Sequence, residues 1–301
     1  MRKFLLLLIF VSLIVNSETS ISQSQELPQN GLIAFVLEVD GNADIYTIQP
    51  DGTNLQQLTF TEGYEQSPIW SPDGSRIAYI YEWQLYIMNA DGSDNTQIDI
   101  GDRTLRNHID WSPDGNMIAF DDWNNAGWDD IFVLDLNTMD IMNLTNLQGG
   151  LIQGPEWSPD GSQIAFVWNG DNPIPMAVEG DPRLDIYIID VDGSNLTQIG
   201  DLNALGLGSL SWRSDGVIFC SLGFYDSAIF AVHIEDGSIE MFTDYDSSYA
   251  NVSPDEQKIV YGESGQLAVM DADGTNSVII TEAGGFNPDW QPIIVEEQDD
   301  D

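Results

Sequence analysis

The stretch Trp70-Ser71-Pro72-Asp73-Gly74-Ser75-Arg76-Ile77-Ala78-Tyr79 returns in nearly the same words at Trp111 to Phe120 and again at Trp157 to Phe166. Weaker copies stand at Trp212-Arg213-Ser214-Asp215-Gly216 and Val252-Ser253-Pro254-Asp255, and a truncated one at Trp290-Gln291-Pro292. A chain that repeats itself about every 40 residues is built from one unit used many times, and the unit decides the fold. Here each unit reads as a strand ending at the Trp, a Ser-Pro-Asp-Gly turn, an Ile-Ala-aromatic strand, a loop, an Ile-Tyr strand, an Asp-Gly turn and a short outer strand. In the turn, Pro presets φ, Asp bonds nearby backbone, and Gly takes the left-handed conformation that follows.

Second-strand positions fall at Ala34, Ala78, Ala119, Ala165, Phe219 and Val260, and third-strand positions at Tyr46, Tyr86, Phe132, Tyr187, Phe230 and Ala268. Four strands joined by tight turns make one antiparallel sheet, which cannot bury both faces alone and stacks on its neighbours around an axis. The expected fold is therefore all-β, a six-bladed β-propeller of four-stranded antiparallel blades. The sixth copy stops where its second strand would begin, while Leu32 to Val36 is a second strand with no first. The C-terminal segment Phe286 to Trp290 should thus become the inner strand of the blade that residues 31–60 begin, which removes an open edge.

Outside the repeats, Arg2-Lys3, the apolar run Phe4 to Val15 and a polar stretch from Asn16 have the order of a secretory signal, too short to span a bilayer comfortably. The expected organisation is a signal peptide over 1–17, a flexible linker over 18–30, the propeller over 31–292 and an acidic disordered tail over 293–301. A periplasmic or secreted location without membrane insertion follows from that reading. Cys220 stands alone, which rules out an internal disulfide and suits a buried, inert thiol.

Acidic residues number 50 against 8 Lys and Arg, a formal charge of -42. Such a surface repels phosphate backbones and excludes nucleic acid as a partner. It stays hydrated in saline surroundings and attracts basic or cationic partners.

The Trp-Ser-Pro-Asp-Gly-x-x-Ile-Ala-Phe and Ile-Tyr-x-x-Asp-x-Asp-Gly-x-Asn patterns resemble the WD40-like (PD40) repeats of TolB-like propellers, over nearly all of 31–292. The resemblance implies a propeller; similar ones serve as the partner-binding domain of TolB, as gating domains of prolyl-oligopeptidase-like peptidases, and within some lyases. Two departures stand out. TolB carries an extra domain ahead of its propeller, where this sequence has a signal and linker, and the peptidases carry a Gly-x-Ser-x-Gly elbow that this sequence lacks.

The repeated Trp also serves as a ruler for candidate site residues. One residue before it stand Ile69, Asp110, Glu156, Ser211, Asn251 and Asp289; three before it stand Ser67, His108, Gly154, Ser209, Tyr249 and Asn287. Strand alternation places both sets on one face. If that face lines the central channel, Asp110, Glu156 and Asp289 converge on the axis, raise one another's pKa and invite a cation or basic side chain. Two enlarged loops, 121–130 with Trp123 and Trp128 and 167–183 with Trp168, should share a rim with Trp83 and His108, where aromatic side chains suit a sugar or a protein partner. Asp190 to Asn195 and Asp271 to Asn276 alternate oxygen ligands, but Gly falls fourth rather than sixth as a calcium loop needs, so hairpin turns are the better reading.

The expected ligand-binding set is Asp110, Glu156, Asp289, His108, Asn251, Trp123, Trp128 and Trp168, with no catalytic residue, no cofactor, and calcium or another divalent cation the one metal considered. The function expected is a monomeric, exported, non-catalytic binding scaffold for a protein or carbohydrate. The alternative is a metal-dependent lyase or glycosidase using the channel carboxylates, against which the scarcity of His and basic residues counts.

Overall fold

The computed structural model describes residues 27–123, 129–147, 149–170, 184–204, 206–222, 227–244, 246–282 and 284–294. They form six four-stranded antiparallel sheets. Blade 1 combines the C-terminal strand Phe286–Ile293 with Gln29–Val39, Asn42–Ile48 and Gln56–Gln57. Blade 2 comprises Glu65–Trp70, Arg76–Tyr81, Gln84–Asn89 and Thr96–Gln97, and blade 3 Ile109–Trp111, Met117–Trp123, Asp129–Asp135 and Ile141–Asn143. Blade 4 is Ile152–Trp157, Gln163–Trp168, Leu184–Asp190 and Thr197–Ala204; blade 5 is Leu207–Trp212, Val217–Leu222, Ala228–His233 and Ile239–Met241. Blade 6 is Ser247–Val252, Lys258–Glu263, Gln266–Asp271 and Val278–Ile279.

The closure expected from the displaced ends is present. The C-terminal strand pairs with the first N-terminal strand, Ile33 opposite Trp290 and Ala34 opposite Asp289. Pairing runs on to Asn30–Pro292 and Gln29–Ile293, so strand structure starts two positions ahead of Gly31.

The core is distributed, one apolar wedge at each seam between blades. Between blades 1 and 2, Ala34, Ile45 and Leu58 meet Trp70, Ile77 and Tyr79. Between blades 3 and 4, Ala119, Ile131 and Val133 meet Trp157, Ile164 and Phe166. In blades 1 to 4 the small Ala of the second strand thus shares a wedge with the next blade's signature Trp, which lets the sheets approach closely.

The three full signature turns each close on their own Asp. Asp73 Oδ1 accepts the Ser71 hydroxyl at 2.6 Å and the Ser75 N–H at 3.0 Å, and Ser71 Oγ accepts the Arg76 N–H at 3.0 Å. Asp114 and Asp160 repeat the arrangement. Hydrogen bonds from Ser112 and Asn116 hold the Asp114 carboxyl below its ordinary range. The outer Asp-Gly turns use their oxygens alike, with Asp192 Oδ1 accepting Ser194 N–H and Asp273 Oδ1 accepting Thr275 N–H. These carboxylates serve hairpin geometry.

Candidate functional site

A cavity of about 410 Å³ runs along the axis, walled by residues of all six inner strands. Every residue one or three places before the signature Trp position lines it, so the ruler finds the channel. The route to that placement differs from simple alternation. In blades 2, 4 and 6 the register shifts between Gln66 and Ile69, Gln153 and Glu156, and Ser248 and Asn251, so two residues face one across each bulge. The bulged residues Ser67, Gly154 and Tyr249 have φ of 49°, 66° and 54°, and Asn287, at the matching shift between Ala34 and Val36 in blade 1, has φ of 50°. Pro follows three of them, as Pro68, Pro155 and Pro288. The sequence pattern for the bulge was therefore present, as a short residue before Pro.

Radial sheets turn their faces toward neighbouring blades, and this decides what the channel carboxylates do. Asp289 Oδ2 accepts the Trp70 N–H of blade 2 at 2.6 Å, Asp110 Oδ2 the Trp157 N–H of blade 4 at 2.7 Å, and Glu156 Oε1 the Trp212 N–H of blade 5 at 3.1 Å. Ser211 Oγ accepts the Val252 N–H of blade 6 at 3.0 Å. Asn251 completes the belt with its side chain on Asp289 and its carbonyl accepting Trp290 Nε1–H at 3.1 Å. Ile69 is the exception, having no acceptor to offer blade 3. The belt staples blades together while keeping three carboxyl groups on the channel wall.

Burial is the largest influence on their protonation. It raises Asp289 to about 7 and Asp110 to about 8, with the Asp289 charge adding to the rise at Asp110. Glu156 is raised well above its ordinary value by burial and then by Asp110. Near neutral pH the wall thus holds protons that a cation would displace.

At the end of the channel where the inner strands begin, the segment Arg103 to His108 meets the second and third strands of blade 3. Arg103 Nη1 pairs with Asp122 Oδ2 at 3.1 Å, and its guanidinium lies 3.9 Å from the Phe132 ring centre. Arg106 Nη2 pairs with Asp129 Oδ1 at 3.2 Å and lies 4.8 Å from the Trp123 ring centre. His108 is held twice by the buried Asp121, its N–H donating to Oδ1 and its Nδ1 facing Oδ2, each at 3.2 Å. Burial lifts Asp129 to about 6 against the pull of Arg106. Arg103 and Arg106 are therefore neutralised in place.

Trp83 and Trp123 are each 55% exposed at this end. Trp168 departs from the rim expectation: it is 6% exposed, donates Nε1–H to the Gly149 carbonyl at 3.1 Å and packs edge-on against Tyr187. The ring belongs to the apolar wedge between blades 3 and 4. Trp128 lies outside the described residues. Cys220 is fully buried, which pushes its thiol pKa up. The carboxylate partners Asp121, Asp122 and Asp129 were not singled out from sequence, although three basic residues so close together in so acidic a chain were a signal for them.

Curated relatives match in part, two of them as follows. A stretch of 51 residues is 41% identical to the protein TolB homolog of Chlorobium luteolum, 17% of this chain and 12% of that protein. Another of 100 residues is 34% identical to the tricorn protease of Thermoplasma acidophilum, 29% of this chain and 9% of that protein. The matches thus span about a tenth of each relative's length. Among solved structures, TolB from Acinetobacter baumannii superposes with a TM-score of 0.71 at 22% identity, covering 88% of this chain and 68% of that one, a likeness of fold. The model of the family described as the tricorn protease N-terminal beta propeller domain matches residues 32–276, and the chain belongs to that family.

Proposed function

We propose that this chain is an exported, non-catalytic binding propeller that engages a basic segment of a protein partner at its axial channel and at the face where the inner strands begin. The observation that carries the reading is the channel wall itself: Asp110, Glu156 and Asp289 each offer a carboxyl group to a cavity whose lining includes no Lys or Arg. The partial match to a TolB homolog supports a protein as the partner, and the charge of -42 supports a basic one. The signal-like N-terminus supports an extracytoplasmic site of action.

A basic side chain entering the channel lowers the raised carboxyl pKa values and expels their protons, so affinity increases as pH rises through the range where Asp289 and Asp110 titrate. Calorimetry with an alternating Lys–Ser oligopeptide, in buffers of different ionisation enthalpy, reads that proton release directly. The Asp110→Asn, Glu156→Gln variant keeps an oxygen acceptor for each staple while removing both charges. It should bind more weakly and release fewer protons, and unchanged heats for this variant would sink the reading.

A further inference from the structure

The hairpin between Arg76–Tyr81 and Gln84–Asn89 turns on Glu82 and Trp83, whose φ values are both left-handed, 49° and 65°. The corresponding two-residue turns of blades 1 and 6 place Gly41 and Gly265 at the second position. Gly is the natural occupant there, because a side chain at positive φ is strained and an aromatic one contributes nothing to the turn. Trp83 is also more than half exposed, so filling the core does not account for it.

The turn is nonetheless firmly held. The Trp83 carbonyl accepts the Leu105 N–H at 2.9 Å, and the Arg103 carbonyl accepts the Gln84 side-chain amide at 2.9 Å. These bonds hold the segment that follows Asp102, Arg103 to Leu105, against the turn. Arg103 and Arg106 are spent on Asp122 and Asp129, whereas the exposed Glu82 and Asp102 have no ion-pair partner among the described residues. The turn thus presents an exposed indole, and the two segments that meet there carry exposed carboxylates at Glu82 and Asp102.

We infer that the Trp83 turn is the anchor for a basic segment of a protein partner, with a Lys or Arg side chain lying on the indole between Glu82 and Asp102. Such a cation gains from the ring quadrupole and from the two carboxylates together. The molecule already uses the same pairing internally, where Arg106 lies over Trp123. The long-range field of a chain with net charge -42 steers such a segment toward the surface, and the anchor gives it a place to dock. The inference rests on the proposed reading of a basic protein partner and assigns it a contact outside the channel.

The test uses two variants. Trp83→Gly leaves the charge unchanged and suits the backbone of the turn; the second is the surface double variant Glu82→Gln, Asp102→Asn. A retained cooperative thermal transition checks each fold. Titration calorimetry with the alternating Lys–Ser oligopeptide near physiological ionic strength should show Trp83→Gly binding about tenfold more weakly than the wild type. The double variant should lose about fivefold. Wild-type affinity in Trp83→Gly overturns the inference; if the channel variant is weakened in the same experiment, the channel reading survives it. No binding by the wild type overturns both. Binding of a neutral oligosaccharide that is lost in Trp83→Gly, without peptide binding, also overturns the inference by assigning the indole to a sugar.

Discussion

Replacing Asp289 by Asn separates the two things this carboxyl does, bonding a neighbouring blade and titrating. The amide retains an oxygen for the Trp70 N–H but carries no titratable proton. In the wild type, burial raises the folded-state pKa of Asp289 from its ordinary 3.8 to about 7. A raised carboxyl pKa means that the folded protein binds more protons than the unfolded chain between those values. Its contribution is then fully present below the unfolded pKa and is lost as pH climbs to the folded one. A shift of roughly three units corresponds to an upper limit of about 4 kcal/mol, and the partial exposure of Asp289 reduces this to about 2 kcal/mol. For a domain of this size that is a Tm change of about 5 °C. Thermal melts of wild type and Asp289→Asn between about pH 4 and about pH 8 cancel the background from the many surface carboxylates common to both. The wild type should lose about 5 °C more than the variant across that range. Parallel curves, or a gap that opens in the opposite direction, would refute a raised pKa at this position.

Two further substitutions probe the seams. Ala165 sits without exposed surface in the wedge between blades 4 and 5, beside Ile186, Leu210 and Cys220. Ala165→Phe should cost about 3 kcal/mol by overpacking, and unchanged thermal stability would contradict the tight seam. At Gly74, φ is +68° and an added Cβ would meet the Pro292 carbonyl oxygen at 2.1 Å, whereas at Gly216, φ is +83° with nothing within 4 Å. Gly74→Ala should therefore lower stability by at least 2 kcal/mol through strain plus displacement of the closing strand, and Gly216→Ala by about 1 kcal/mol through strain alone. Equal denaturant midpoints for the two would remove the closing-strand contact as the cause.

The signature stretch proved legible because it acts locally. Ser71, Asp73 and Gly74 meet one another within a few residues, so their types reveal the turn without reference to the rest of the chain. The same holds for the repeat period, the strand alternation and the displaced first strand, and from these the six blades and their closure follow. Counting back from each Trp also reached the channel wall, since every blade repeats the same path. Trp168 and Trp83 were not separable in the same way. Both stand at the ends of strands near loops, but Trp168 finds Tyr187 and the Gly149 carbonyl, while Trp83 sits on a hairpin tip with open space beside it.

What the sequence determined by itself is the unit, its number and its closure, because those depend on periodicity and on hydrogen bonds made within a strand or turn. Only the tertiary structure decided the work of Asp110, Glu156 and Asp289, because their partners lie 47, 56 and 219 residues away on the next blade. An acid one residue before a Trp reads the same whether it faces water, a ligand or a backbone N–H. The radial packing of the sheets selects among these, giving one carboxylate oxygen to the neighbouring blade while leaving the group on the channel wall.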